Sequence, residues 1–265
     1  AGDEVIFQNI HGKGIILERL ERRNALVRRA ARPRPGVYDQ PQTLAANLDL
    51  LVAVLAAANP APKWNWLDRC LVSAEAEGIP ALVCMNKMDL AGQGRSSARR
   101  DLQTVLDEYR QAGYPVLEIS ALTGQGLDDL RAALAGKIAA LAGQSGTGKS
   151  SLLNALLPEL GLRTGQVSDY NGKGRHTTTG AELFPMPGGG MLMDTPGLRE
   201  FGLWGFEEED LAYYFPEMRI FLGSCRFGAS CRHNDEPGCA VRRAVTRGEI
   251  SPYRYRSYLY LTQEN

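Results

Sequence analysis

The sequence has no long apolar run. Its best candidate, Leu48 to Ala58, is about one strand plus a turn, well short of the ~20 residues a membrane-spanning helix needs. It has no apolar signal core behind a basic start, so a cytoplasmic location is expected. It has no charge excess, with 30 Lys and Arg against 30 Asp and Glu. It is poor in cysteine, with five in 265 residues, and in a cytoplasmic chain such thiols point to metal or core packing, not to disulfides. Internal repeats and low-complexity tracts are missing too, which excludes solenoids and disordered tails.

What is present is first an uneven distribution. Residues 1–36 hold eight Lys/Arg against four acids, and residues 218–263 hold eight Arg against three. Two basic ends on a neutral chain fit a polyanion touched at two places, or solvated faces with local counter-ions. Arg28, Arg29, Arg32 and Arg34 are candidate phosphate contacts at one end, and Arg242, Arg243, Arg254 and Arg256 at the other. Cys70 and Cys84 sit in apolar surroundings and read as core residues.

Residues 1–30 alternate apolar and polar positions around a turn at His11-Gly12-Lys13-Gly14, which predicts two or three strands of a small β unit. That is too short for a closed barrel, and with Ala1 in place of a methionine the unit is expected to be only partly represented. A linker follows at 31–41, with Pro33, Pro35, Gly36 and Pro41. Strands and helices then alternate. Apolar runs at 48–55, 80–85, 115–119 and 137–141 predict buried parallel strands, with helices at 66–78, 97–112, 127–135 and 149–157. A hairpin turning at Gly188-Gly189-Gly190 leads into Asp194. Two short helices are expected at 239–247 and 251–262.

The chemistry sits at predicted strand ends, where α/β sheets bind ligands. Gly143-x4-Gly148-Lys149-Ser150 follows a strand and opens a helix, as a phosphate-binding loop does. Gly143, Ser145, Gly146, Thr147, Gly148, Lys149, Ser150 and Ser151 form the candidate cradle. Lys149 is suited to the β- and γ-phosphates and Ser150 to Mg²⁺. Asn86-Lys87-Met88-Asp89 has the form of a guanine-reading corner. The Asp89 carboxylate accepts from the ring N–H and amino group of guanine together, an edge adenine lacks. Asn86 supports the loop, and the Lys87 stem covers a ring face. Ser120-Ala121, after the next strand, offers a backbone N–H for the guanine oxygen.

Asp194-Thr195-Pro196-Gly197 suits water-mediated Mg²⁺ binding and γ-phosphate sensing by the Gly197 N–H. Leu198 follows, where Ras-type enzymes carry a water-orienting Gln, so slow intrinsic hydrolysis is expected. Between these motifs lies Gly174-Arg175-His176-Thr177-Thr178-Thr179. One of its threonines would complete the Mg²⁺ shell, and His176 either positions the attacking water or is an ordinary polar loop residue. Cys225, Cys231, His233 and Cys239 supply three thiolates and one imidazole, a donor set for structural tetrahedral zinc.

The base-reading corner precedes the phosphate loop, the reverse of the ordinary order. With Gly188-Gly189-Gly190, the run from Asp194 to Trp204 and Glu236-Pro237-Gly238-Cys239-Ala240, the chain resembles the RsgA (YjeQ) family of circularly permuted bacterial GTPases that depend on the small ribosomal subunit. The resemblance covers nearly the whole chain. It implies an α/β protein with an incomplete OB-fold unit at 1–38, a circularly permuted P-loop GTPase domain at 39–205 and a helical zinc-binding domain at 206–265. It implies GTP/GDP, Mg²⁺ and one structural Zn²⁺ as cofactors. It implies a monomer acting in late assembly of the 30S subunit, against its 16S rRNA, without a membrane partner. It points to Thr178 as the switch threonine and Mg²⁺ ligand, and to His176 as catalytic with Lys149. The gap between Cys225 and Cys231 is one residue longer than the family's usual spacing. A nucleotide-gated RNA-binding module is the competing reading, and a P-loop ATPase or kinase is a third that Asp89 argues against.

Overall fold

The computed structural model describes residues 1–10, 13–28, 42–91, 96–161, 182–194 and 208–264. Among these, no helix is long and apolar enough to cross a membrane. Strands β1 (Val5–Ile10) and β2 (Lys13–Arg19) form an antiparallel hairpin with both faces exposed. Strand β3 (Ala25–Arg28) pairs instead with β4 (Gln42–Ala46). The alternation pattern did not reveal β4, because it follows the proline-rich stretch and is only five residues long. Leu26, Leu44 and Ala45 carry this second pair into the main core. Asn24 and Asn47 fasten it: the Asn24 amide bonds the Leu48 backbone at both ends, and Asn47 bonds Gly2 O and Arg23 N.

The centre is a six-stranded sheet built from β5 (Leu50–Ala56), β6 (Ala81–Asn86), β7 (Val116–Glu118), β8 (Ile138–Ala142), β9 (Glu182–Pro185) and β10 (Met191–Asp194). Its spatial order is β7-β6-β5-β8-β10-β9, parallel except for the β9–β10 hairpin. All seven residues of β5 are buried. Leu51, Ala53 and Leu55 face one core, with helices α1 (Trp64–Ala76) and α2 (Ser96–Gln111). Leu50, Val52 and Val54 face the other, with α3 (Leu127–Leu134) and α4 (Lys149–Leu156). An unbroken apolar run is therefore a two-faced strand at the middle of the sheet. The chain walks from β5 to the β7 edge and returns through α3 to β8, on the far side of β5. The strand order thus reverses between β5 and β8, and the crevice beyond their carboxyl ends is where such sheets place ligands.

The C-terminal region comprises a 3₁₀ segment at Glu208–Tyr214, then α5 (Pro216–Arg219), α6 (Ala240–Arg247) and α7 (Pro252–Glu264). Its core includes Phe215, Met218, Val241, Tyr258 and Leu261, and also Val72 from α1. One expected role fails here. Arg254 is not a surface phosphate contact, since it is 2% exposed. Its guanidinium pairs with Asp68 of α1 and, at 2.7 Å, with Glu217 of α5. Tyr109 of α2 donates its hydroxyl to the same Asp68 carboxylate at 2.8 Å, and Phe215 lies 4.6 Å beneath the guanidinium. A charge that counts as basic in composition is thus neutralised inside the seam between the sheet's helices and the C-terminal region. Arg242 and Arg243 are exposed on α6, as is Arg256 on α7. The Arg28 side chain and Arg29, Arg32 and Arg34 lie outside the described residues.

Candidate nucleotide site and metal centre

The loop between β8 and α4 lies in that crevice, and two of its glycines are sterically required. A Cβ at Gly143 would lie 2.6 Å from Val54 O of β5. Gly148 has φ +92°, and a Cβ there would lie 2.3 Å from Asn86 Nδ2. Thr147 is buried and donates its hydroxyl to Gln144 O at 3.0 Å. Lys149 folds over the loop, its ammonium donating to the carbonyls of Gly143 and, at 2.9 Å, Gln144. Ser145, Gly146 and Ser150 are exposed at the mouth, and Ser151 is half-buried behind them. The N-terminus of α4 thus presents its backbone donors where an anion would sit.

Asn86, at the end of β6 and 1% exposed, joins this loop to two other segments. Its Nδ2 donates to Thr147 O at 2.9 Å, and its Oδ1 accepts from Ala121 N at 3.1 Å. Each buried polar atom of the amide is paired, as burial demands. The Ala121 N–H expected to meet a guanine oxygen is thus engaged by Asn86. Lys87 adopts a left-handed conformation, φ +60°, and its ammonium donates to Asn59 O. Sequence reasoning missed Asn59, whose contribution is a backbone carbonyl and carries no side-chain signal. Asp89 sits in a 3₁₀ turn at Met88–Leu90, and its Oδ1 accepts from the Ser120 hydroxyl at 2.6 Å. Ser120 is fully buried and its Oγ also accepts from Thr123 N at 3.1 Å. Asp194 ends β10 opposite Leu141 of β8, two residues before the phosphate loop begins. His176, Thr178, Gly197 and Leu198 lie outside the described residues.

The second constellation is in the C-terminal region. Cys225, Cys231, His233 and Cys239 are all buried, with their ligand atoms within 4.8 Å of one another. His233 Nδ1 is 3.5 Å from both Cys225 Sγ and Cys239 Sγ, and those sulfurs are 3.9 Å apart. Tetrahedral zinc, with bonds of ~2.3 Å to sulfur and ~2.0 Å to nitrogen, places its ligand atoms roughly 3.5–3.8 Å apart. The donor set therefore fits a metal of this kind. A 3₁₀ turn at Gly228–Ser230 takes up the long gap between the first two cysteines. The surroundings favour neutral imidazole at His233 and thiolate at Cys225, whereas burial pushes the Cys231 thiol up to about 12 and raises that of Cys239 as well. Burial raises the Cys225 thiol, but the N–H groups of Ala240, at 3.2 Å, and Val241 outweigh it and hold it below the ordinary value. Burial also lowers His233. The loop is braced by groups that sequence reasoning missed. Glu236 accepts from Arg232 N and Asn234 N at 2.8 and 2.9 Å, and the Tyr255 hydroxyl donates to His233 O at 2.6 Å. Glu236 belongs to the motif at 236–240, but neither its bracing role nor that of Tyr255 carries a local signal.

A phosphate loop at the switch point of a parallel sheet, tied through one buried amide to the strand end beside it, defines a P-loop nucleotide-binding protein with its motifs in permuted order. Residues 19–204 match the RsgA GTPase family. Among curated proteins, the small ribosomal subunit biogenesis GTPase RsgA of Gemmatimonas aurantiaca is 50% identical over 234 residues, covering 88% of this chain and 74% of that protein. The protein of the same name from Bacteroides fragilis is 41% identical over 264 residues, covering 99% of this chain and 83% of its own length. Among solved structures, YjeQ from Thermotoga maritima aligns with a TM-score of 0.80 at 34% identity, over 99% of this chain and 83% of that one. YloQ, described as a circularly permuted GTPase, aligns at 0.74 and 36% identity, over 99% and 79%. The chain belongs to the RsgA GTPase family and is a GTP hydrolase of circularly permuted fold, and its family implies GTP/GDP and Mg²⁺.

Proposed function

We propose that this chain is a maturation factor of the small ribosomal subunit, hydrolysing GTP in response to contact with that subunit and its 16S rRNA. The relatives' shared name supports the ribosomal role. The observation that carries the nucleotide chemistry is the Asn86 amide bonded at once to Thr147 O and Ala121 N. It makes phosphate binding and base reading one rigid unit, although the two motifs are 61 residues apart.

In this reading Asp89 selects guanine, and Asn86, Lys87, Ser120 and Ala121 shape the base corner. The Gly143–Ser151 loop holds the phosphates, with Lys149 on the β- and γ-groups. Ser150 and Thr178 ligate Mg²⁺, with Asp194 acting through water, and the Gly197 N–H senses the γ-phosphate. His176 orients the attacking water, and Leu198 leaves intrinsic hydrolysis slow. Zinc on Cys225, Cys231, His233 and Cys239 is structural, because four protein donors leave no open position. The chain works as a cytoplasmic monomer divided at about residues 38 and 205. Arg242 and Arg243, exposed on α6, are its candidate rRNA contacts.

The test is GTP turnover with and without purified small subunits. Strong stimulation is expected, and His176→Ala should remove it while leaving GTP affinity intact. Tight GTP binding without stimulation would reject the ribosome-activated switch. A His176→Ala protein that still supports maturation and leaves the subunit would favour a nucleotide-gated binding module instead.

A further inference from the structure

A cavity of about 370 Å³ opens where α1, α2 and α7 meet. It shares no residue with the phosphate loop, the base-reading corner or the metal centre. Its walls are aromatic: Trp64, Tyr109, Tyr253 and Tyr260 line it. Trp64 and Tyr109 are stacked at 5.9 Å, and the Arg256 guanidinium lies 4.5 Å over the Tyr253 ring. Tyr253 is 55% exposed at the rim. Two buried polar atoms among these rings lack a hydrogen-bond partner, although the Glu108 carboxylate also bonds Ser251. Ser257 is 4% exposed, and its hydroxyl has no hydrogen-bond partner among the described residues. The same holds for the buried Oε2 of Glu108. Arg254 also lines the cavity, with its charge taken up by Asp68 and Glu217.

Unsatisfied buried polar groups are rare and call for an explanation. We infer that this cavity takes a single unstacked base of the RNA the chain contacts, an inference that rests on the ribosomal reading above. Single-stranded RNA is recognised by bases splayed onto aromatic rings and guanidinium planes and hydrogen-bonded along their edges. The cavity offers each of these. The accessible rings of Trp64, Tyr253 and Tyr260 stack any base, and Arg256 on Tyr253 stands at the rim for the adjoining phosphate. Glu108, a half-exposed side chain, accepts from an exocyclic amino group once its carboxylate turns Oε2 out of its buried position, and the Ser257 hydroxyl completes the edge. The volume is at the small end of ligand sites. A cationic side chain from a protein partner is disfavoured, because it would meet Arg256 at the rim. An apolar side chain would leave Glu108 Oε2 and the Ser257 hydroxyl without a partner. The acceptor sets a preference: adenine and cytosine, which carry an amino group, over uracil, which does not.

The test uses labelled tetranucleotides of adenylate, cytidylate and uridylate, read by fluorescence anisotropy on the full chain with GDP filling the nucleotide site. Adenylate and cytidylate should bind on the order of 10-fold more tightly than uridylate. Tyr253→Ala should weaken all three by roughly 10-fold. Glu108→Gln, whose amide can donate to a uracil carbonyl, should bring uridylate to within about threefold of adenylate. Neither residue touches the nucleotide machinery, so intrinsic GTP turnover should be unchanged in both. Equal binding of the three tetranucleotides, absence of binding, or indifference to both substitutions overturns the inference, as does binding of an oligoarginine peptide in their place. Co-sedimentation of the wild-type chain with small subunits separates the two claims. Association without base preference leaves the ribosomal reading and rejects the cavity. Base preference without association rejects the ribosomal reading and keeps the cavity as a base site.

Discussion

Arg254 is the most consequential side chain in the seam, because two acidic side chains from different elements share its guanidinium. The Arg254 side chain is 2% exposed, that of Asp68 3% and that of Glu217 9%. In Arg254→Met the aliphatic volume is largely kept, but two buried carboxylates lose their counter-charge. Breaking a buried pair in this way costs about 3–5 kcal/mol. With a urea slope of about 2–3 kcal/mol/M, the unfolding midpoint should fall by roughly 1–2.5 M. Asp68→Asn leaves Arg254 paired with Glu217 and should cost less, about 1–3 kcal/mol. In the double variant only Glu217 stays unpaired, so its loss should fall short of the sum of the singles by about 1.5 kcal/mol or more. The assay is urea unfolding followed by far-ultraviolet circular dichroism, with limited proteolysis of α7 in parallel to detect its separate detachment. A loss under about 1 kcal/mol in Arg254→Met, or strict additivity in the cycle, would refute the argument that this charge is held by its buried partners.

Gly148→Ala should abolish GTP binding with little loss of overall fold, because its Cβ would strike the Asn86 amide at 2.3 Å in a left-handed backbone conformation; titration with a fluorescent GTP analogue checks it. Metal analysis should find one zinc per chain, and Cys239→Ser should release it and open α6 and α7 to protease, whereas Cys70→Ser should leave the metal in place. Asp49 links stability to pH. The Ile138 N–H, at 2.9 Å, holds its carboxyl below the usual range against the opposing cost of burial, and Arg23 adds to the effect. The folded value therefore lies below the unfolded one, about 3.9. The stabilisation is complete above about pH 5 and is lost as pH falls through the folded value. Melting temperatures between about pH 6 and pH 3 should drop less steeply in Asp49→Asn than in the wild type.

The central sheet was legible because strands buried on both faces leave unbroken apolar runs, and because glycine closes the helices at 78 and 113, both with positive φ. The hairpin turn at 188–190 was legible for the same reason. The Cys3His cluster could be read from donor types alone, since three cysteines and a histidine within one short stretch have few uses besides holding a metal. The Asn86 bridge was only half visible. Its residue type announced a base corner, but its bonds to Thr147 and Ala121 depend on the sheet bringing three strand ends together. Strand β4 was missed because its partner lies across the linker. Arg254 was misread because its partner Asp68 is 186 residues away, and no local pattern distinguishes a guanidinium that will be buried from one that will face RNA.

Helix α1 serves two cores at once, giving Leu67, Cys70 and Leu71 to the sheet and Val72 to the C-terminal region. During synthesis this makes the order of events one-directional. The wall formed by α1 is complete long before α7 leaves the ribosome, and until then Asp68 waits on it without its guanidinium. A nascent chain halted before residue 254 would carry a finished sheet with one face still bare, showing Val72 and an unneutralised carboxylate. Incomplete translation products would therefore be marked for the cell's proteases by the same surface that seals the finished molecule.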